Sequence, residues 1–299
     1  MDRSPEPDGR VVLRAGDLEL SLLPALGGSV ASYRWLRGSG DVVPLFRETP
    51  PGADDVLATA CFPLVPYSNR IRDGRFVFRG RTVRLAPNLP PQRHPLHGQG
   101  WRGAWTVERA GDEAAELAFR HDAGEWPWAY EARQRLRLDA GGLGAVLSCR
   151  NLSDQPMPCG LGFHPYFDAS EDTVIDTRVT GVWTVDAEVM PVFLKPPTGR
   201  YDLSGRRIAG AGLDNGYEGW SGEATICWPA RRAGLRIASA APRFQVYAPA
   251  DQPVLVAEPV TNANDALSRP EDEWPALGLT VLEPGEETSL AARFDLLRL

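Results

Sequence analysis

The chain lacks the features on which several large protein classes depend. Its 299 residues contain no run of about 18 apolar residues, so no membrane-spanning helix is expected. It has no basic excess: the formal net charge is -7, with both signs spread along the chain. Neutralising nucleic-acid phosphates takes a cationic face, so nucleic acid is not expected as a partner. Cysteine is scarce, and Cys61, Cys149, Cys159 and Cys227 form no C-x-x-C pair. That disfavours a zinc knuckle or a dithiol centre, and the wide spacing points to buried free thiols. Histidine is equally scarce, at four. His94 and His97 have a metal-like spacing, but no Glu, Asp or Cys completes a set of the H-E-x-x-H kind. Pro95 also opposes the helix that would join the two imidazoles, so no metal is expected. Met1 to Asp8 is polar and proline-containing, unlike a signal peptide or an anchor, which makes a cytoplasmic location the expectation. Residues 1–10 are expected to form a disordered tail. No internal repeat, low-complexity linker or long amphipathic helix is legible.

What the chain has in quantity is turn residues, Gly 30 and Pro 27, between short runs of alternating apolar and polar side chains. Val11-Val12-Leu13, Leu18 to Leu22 and Val30 to Leu36 read as strands. Arg75 to Arg79 and Thr82 to Leu85 flank Gly80 as a hairpin. Trp105 to Glu108 and Ala115 to Phe119 continue the pattern. Tyr130 to Leu138 and Leu143 to Arg150 flank Asp139-Ala140-Gly141-Gly142. Later runs are Ala224 to Trp228, Gly234 to Ala238, Phe244 to Tyr247, Val254 to Ala257 and Leu290 to Leu296. Asp265 to Trp274 reads as a short helical turn. The expectation is an all-β fold, a large antiparallel β-sandwich, in one domain over residues 11–299, since so many strands need two packed sheets to bury their inner faces.

Four segments stand apart from this alternation. Phe62 to Ile71 is stiffened by two prolines and presents Asn69 and Arg70, either a solvated loop or a fixed amide and guanidinium for ligand hydroxyls. His94 to Trp101 carries His97 and a glycine, Gly98, that permits close backbone approach. Trp101 reads as a core residue or as a flat face for a sugar ring. In Gly160 to Phe167, His164 is enclosed by glycine and aromatic residues, either a satisfied core histidine or a general acid. In Val254 to Thr261 an apolar strand delivers Glu258 before Pro259, which reads as the strand's end. Such a carboxylate is a solvated terminus or a base whose pKa is raised by desolvation.

Taken in order, Asn-Arg-Ile with Gly-x-Phe, His-x-x-His-Gly, Gly-x-His-Pro-Tyr-Phe and Glu-Pro resemble the aldose 1-epimerase (galactose mutarotase) family over roughly residues 20 to 295. The resemblance implies a β-sandwich with a sugar site on its concave face and no cofactor. It implies His164 as general acid and Glu258 as general base, with Asn69, Arg70, His97 and Asp214 binding the sugar. Glu258-Pro259 differs from the Glu-Thr or Glu-Ser of typical galactose enzymes and looks more like bacterial relatives, which leaves the sugar open. The chemistry suits these residue types. Opening a cyclic hemiacetal removes a proton from the C1 hydroxyl and adds one to the ring oxygen, so one base and one acid suffice. Alternatives are an epimerase of hexose 6-phosphate or another C6-charged sugar, with Arg72, Arg93 and Arg102 as candidate cations, and a noncatalytic sugar-binding protein. A glycosidase using Asp214 and Glu258 would leave the histidine motif idle.

Overall fold

The computed structural model describes residues 9–299. The tail expected over residues 1–10 falls mainly on residues 1–8, which lie outside the described residues; the first strand begins at Val11. Among the described residues there is no α-helix, and the helical pieces are three-residue 3₁₀ turns. The turn read over Asp265 to Trp274 is two such pieces, Ala266–Ser268 and Glu271–Glu273. No helix is long and apolar enough to cross a membrane.

The hairpins form where alternation and turn chemistry agree. Arg75–Phe78 pairs with Arg81–Arg84 across Arg79-Gly80. Both turn residues have positive φ, 49° and 79°, the mirror-image turn whose twist matches paired strands. Phe76, Phe78 and Val83 are buried while the arginines face solvent. Tyr130–Leu138 pairs with Gly142–Asn151, and the Asp139 carboxylate closes the turn by accepting from the amides of Gly141 and Gly142 at 2.8 and 3.1 Å. These two strands lie in a nine-stranded antiparallel sheet beside Glu287–Arg298 and Ala233–Ser239.

A second, eleven-stranded sheet packs over the first. Phe294 of the nine-stranded sheet meets Phe46 edge-on at 5.2 Å and Phe163 at 6.5 Å. The Tyr33 hydroxyl donates to the Phe294 carbonyl at 3.1 Å. The middle of the eleven-stranded sheet runs in the order Ser29–Arg37, Cys61–Leu64, Gly162–Asp168, Val254–Val260, Arg243–Ala248, Leu213–Glu218.

Strands Gly162–Asp168 and Val254–Val260 are buried on both faces. Phe163, Phe167, Leu255 and Ala257 join the core between the sheets. Tyr166, Val254, Val256 and Val260 face the other way, into a second cluster with Phe62, Leu64, Leu96 and Trp101. A strand covered on both sides reads as a continuous apolar run rather than an alternating one. That corrects two expectations. The segments around Phe62 and His164 are strands, not departures from strand structure. Pro259 does not end the Glu258 strand, which continues to Val260. The cysteines are all unpaired; Cys61, Cys149 and Cys159 are buried and Cys227 is half-buried.

Removing Phe294 would leave a cavity where the sheets meet. Phe294→Ala should lower the unfolding free energy by about 3–5 kcal/mol, read from the shift of the urea midpoint at constant slope; a loss below about 1 kcal/mol would contradict the packing described.

Candidate active site

The register of the eleven-stranded sheet places the chemistry. Gly162 pairs with Val260 and Tyr166 with Val256, so His164 and Glu258 face each other between them. Pro165 and Pro259 lie in this interval, and the regular ladder skips it, since proline has no N–H to give. On one side His164 opposes Phe62, and on the other Glu258 opposes Gln245. Phe62, His164, Glu258 and Gln245 therefore form one row across four strands. The next row carries Tyr166, Val256, Tyr247 and Asp214. Both rows open onto a cavity of about 290 Å³ on the outer face of the sheet.

A pair of loops forms the facing wall. Val65 bridges Gly98, and Arg70 bridges Leu96. Asn69 and His97 have positive φ, 63° and 61°, a region that Asn and His enter more readily than most residues. The two lock each other: the His97 amide donates to the Asn69 carbonyl at 3.0 Å, and the Asn69 amide donates to His97 Nδ1 at 3.0 Å. Because Nδ1 accepts, the neutral ring carries its proton on Nε2 as a fixed donor. Gly98 sits at φ 74° with no room for a side chain, since a Cβ would lie 2.3 Å from the Val65 carbonyl oxygen. The Asn69 side-chain oxygen accepts from the Arg70 amide at 3.0 Å and from Arg70 Nη1 at 3.2 Å. Arg70 Nη2 lies 3.6 Å from Asp214 Oδ2. Gln245 Nε2 donates to Asp214 Oδ1 at 2.9 Å.

His164 and Glu258 are 8% and 3% exposed, and His164 Nε2 lies 3.7 Å from Glu258 Oε1. The imidazole stacks on Phe62 at 4.3 Å and contacts Tyr166 at 4.7 Å, while its Nδ1 is buried without a hydrogen-bond partner. Burial in this apolar surround pushes the His164 pKa down from 6.5 to about 3. Burial, reinforced by the charge of Asp214 and opposed by Arg70, pushes Glu258 well above the ordinary carboxylate range. Both shifts act against charge. Together the two shifts favour an uncharged pair in which one shared proton sits on Glu258 rather than on His164. Burial likewise keeps His97 neutral, with His164 and Arg70 adding to the effect. Asp214 is raised by burial, against Arg70 and the Gln245 hydrogen bond.

The structure brings Asn69, Arg70, His97, His164, Asp214 and Glu258 to the wall of this one cavity. It does not bring the three arginines proposed for a C6 charge. Arg93 pairs with Asp73 at 2.8 Å, and Arg72 with Asp265 at 3.3 Å. Arg102 donates to the Asn88 carbonyl and covers the Trp101 ring. None of them lines the cavity. Trp101 is fully buried, with its indole N–H donating to the carbonyls of Leu96 and Gly98 at 3.1 Å, and it supports the His97 loop from behind. His94 faces away from His97, with its Nδ1 accepting from the Asp73 amide at 2.9 Å. Sequence reasoning missed Arg47, Gln92, Tyr166, Gln245 and Tyr247, which also line the cavity. The alternating pattern of Phe244 to Tyr247 could have flagged Gln245 as facing opposite to the core residues Phe244 and Val246.

Comparison with known proteins converges on one family. The family model described as aldose 1-epimerase matches residues 10–295. An uncharacterized Escherichia coli K12 protein, YphB, is 31% identical over 262 residues, covering 83% of this chain and 87% of YphB. A crystal structure from Escherichia coli K12, provisionally described as an aldose 1-epimerase, aligns with a TM-score of 0.87 at 28% identity, covering 97% of this chain and 99% of that one. A galactose 1-epimerase from Lactobacillus acidophilus shares the fold with a TM-score of 0.78 at 16% identity, over 99% of this chain and 97% of that one.

The buried imidazoles make two linked expectations. In a nuclear magnetic resonance titration of labelled histidines from pH 8 to 5, His97 and His164 should not shift; a midpoint near 6.5 for either would contradict the burial described. Their folded pKa values lie below the unfolded value of about 6.5, so the unfolded chain binds more protons as the pH drops. The stability these two residues give is present above pH 6.5 and lost as the pH falls toward 3.

Proposed function

The chain belongs to the aldose 1-epimerase family, and on that premise we propose that it interconverts the α and β anomers of a hexose by acid-base ring opening and closure. The observation that carries this is the facing of His164 and Glu258 at 3.7 Å in a cavity where burial shifts their pKa values in opposite directions.

The proton count explains why such a pair suits the reaction. With the closed sugar bound, Glu258 as carboxylate takes the proton of the C1 hydroxyl, and His164 as imidazolium gives one to the ring oxygen. The C1–O5 bond breaks and an open-chain aldehyde forms. The pair is then a neutral imidazole and a neutral carboxylic acid, the distribution that burial favours. Ring opening therefore returns the pair to the uncharged distribution that burial favours. Rotation about the C1–C2 bond presents the other carbonyl face, and the same transfers in reverse close the ring as the opposite anomer. Arg70 favours the ionised form of Glu258 and, with the Nε2–H of His97, is placed to stabilise negative charge developing on oxygen. Asp214, held by Arg70 and Gln245, is placed to accept from sugar hydroxyls. No hydride moves and no bond to the protein forms, so the balance of atoms closes with these side chains alone.

The test is the rate at which a pure α-anomer relaxes to equilibrium, followed by optical rotation. His164→Asn and Glu258→Gln should each slow it by about 10²- to 10⁴-fold; unchanged rates in both would overturn the mechanism. The wild-type pH profile is a second check. Activity should end on the acid side only where the pair gains a second proton, near pH 3 at His164, and on the alkaline side where Glu258 loses the shared one. kcat/KM should therefore hold steady between pH 7 and 5, and a decline centred near 6.5 would contradict the shared proton.

A further inference from the structure

The charges lining the cavity are Arg47, Arg70, Asp214 and Glu258, besides the histidines. Arg70 and Asp214 offset each other at 3.6 Å. Glu258 faces His164 at 3.7 Å. Arg47 is left over. It is half-buried, and among the described residues no carboxylate lies within ion-pair distance of its guanidinium. Its guanidinium is nevertheless held in place. Nη2 donates to the carbonyls of Leu57 and Thr59 at 2.6 and 2.8 Å, and the guanidinium carbon lies 3.8 Å from the centre of the Tyr166 ring. The Arg47 amide donates to the Tyr166 carbonyl at 2.8 Å, which ties this segment to the His164 strand. Asp168 acts on this cation only from beyond ion-pair distance, so a guanidinium fixed at the wall of a ligand cavity is free to meet an anion there.

Its position says which part of a ligand would fill it. Tyr166 is two residues from His164 on the same strand face, so Arg47 lies on the His164 side of the cavity. Asp214 lies three strands away from Tyr166 in the same row, about 14 Å at ordinary strand spacing. In the mechanism above His164 serves the ring oxygen. The carbon next to that oxygen, on the side away from C1, is C5, and its substituent is C6. A sugar with C1 between Glu258 and His164 thus directs C6 toward the Tyr166 and Arg47 end. Gln92, whose buried side-chain oxygen has no partner, lines the same cavity.

We propose that Arg47 is a specificity-determining residue that receives an anionic group at C6 of the sugar, making the substrate class C6-charged aldoses. The inference rests on the epimerase reading of the same site. The shared chemistry is a fixed anion on C6, and a carboxylate and a phosphate are the two forms to distinguish. A guanidinium meets either in a forked, charge-assisted geometry that a neutral C6 hydroxyl does not offer.

The experiment measures anomer exchange by nuclear magnetic resonance for D-glucose, D-glucuronate and D-glucose 6-phosphate, with the galacto counterparts. The proteins are the wild-type full chain, Arg47→Gln and Arg47→Lys. In the wild type, kcat/KM for at least one C6 anion should exceed that for the matching neutral sugar by about tenfold or more. Arg47→Gln should bring that ratio toward one, and Arg47→Lys should restore part of it; a purely structural role would lower both sugars together and leave the ratio intact. The carboxylate and phosphate arms identify the anion. Neutral and anionic sugars turned over equally by the wild type, or a ratio preserved in Arg47→Gln, would overturn the inference while leaving the epimerase reading in place. No acceleration with any sugar would overturn both. The wild-type ratio is decisive even if Arg47→Gln does not fold.

Discussion

The site depends on one constraint: two ionisable side chains face each other on strands that are buried on both faces. Strands Gly162–Asp168 and Val254–Val260 sit at the middle of the eleven-stranded sheet, between two hydrophobic clusters. Neither His164 nor Glu258 can carry an uncompensated charge there at ordinary cost. Burial instead favours the uncharged forms of both, lowering the pKa of His164 and raising that of Glu258. The rest of the cavity keeps to the same economy, with Arg70 set against Asp214 and His97 locked as a neutral donor by Asn69. Arg47 is the exception, and for that reason it carries information about the ligand.

Rigidity accompanies this balance. The strands supply His164 and Glu258, whose spacing follows from register. The loops supply Asn69, Arg70 and His97, and they are held by backbone positions few residues tolerate. Positive φ at Asn69 and His97 costs stability that their reciprocal hydrogen bonds and the Trp101 anchor offset. Trp101 contributes from beneath the loop, as a buried support, and not as a surface for a sugar ring.

The outer hairpins were legible in the sequence because one face of each is wet. Tyr130–Leu138 alternates core and solvent residues, and its ends were read correctly to the residue. The central strands were less legible for a physical reason. With both faces covered, Val254 to Val260 is apolar apart from Glu258, and Pro259 looks like a strand end although the strand continues past it. The same circumstance made parts of the site conspicuous, since His164 and Glu258 are polar residues embedded in apolar strings. Arg47 and Gln245 were easy to overlook for the opposite reason. In Phe46-Arg47-Glu48 and Phe244-Gln245-Val246 they look like ordinary solvent-facing residues. Only register and loop closure show that one reaches Glu258 and the other reaches Tyr166. The arginines named from sequence as candidate cations for a C6 charge, Arg72, Arg93 and Arg102, are held elsewhere by their carboxylate and carbonyl partners.

Burial, which lowers the pKa of His164 and raises that of Glu258, favours an uncharged pair with the proton on Glu258. Infrared difference spectroscopy between the wild type and Glu258→Gln at pH 7, with glutamate carboxyl groups isotopically labelled, tests it directly. The account predicts a protonated-carboxyl stretching band in the wild type, sensitive to the label and missing from the variant. A wild-type spectrum in which Glu258 contributes only carboxylate bands would contradict it.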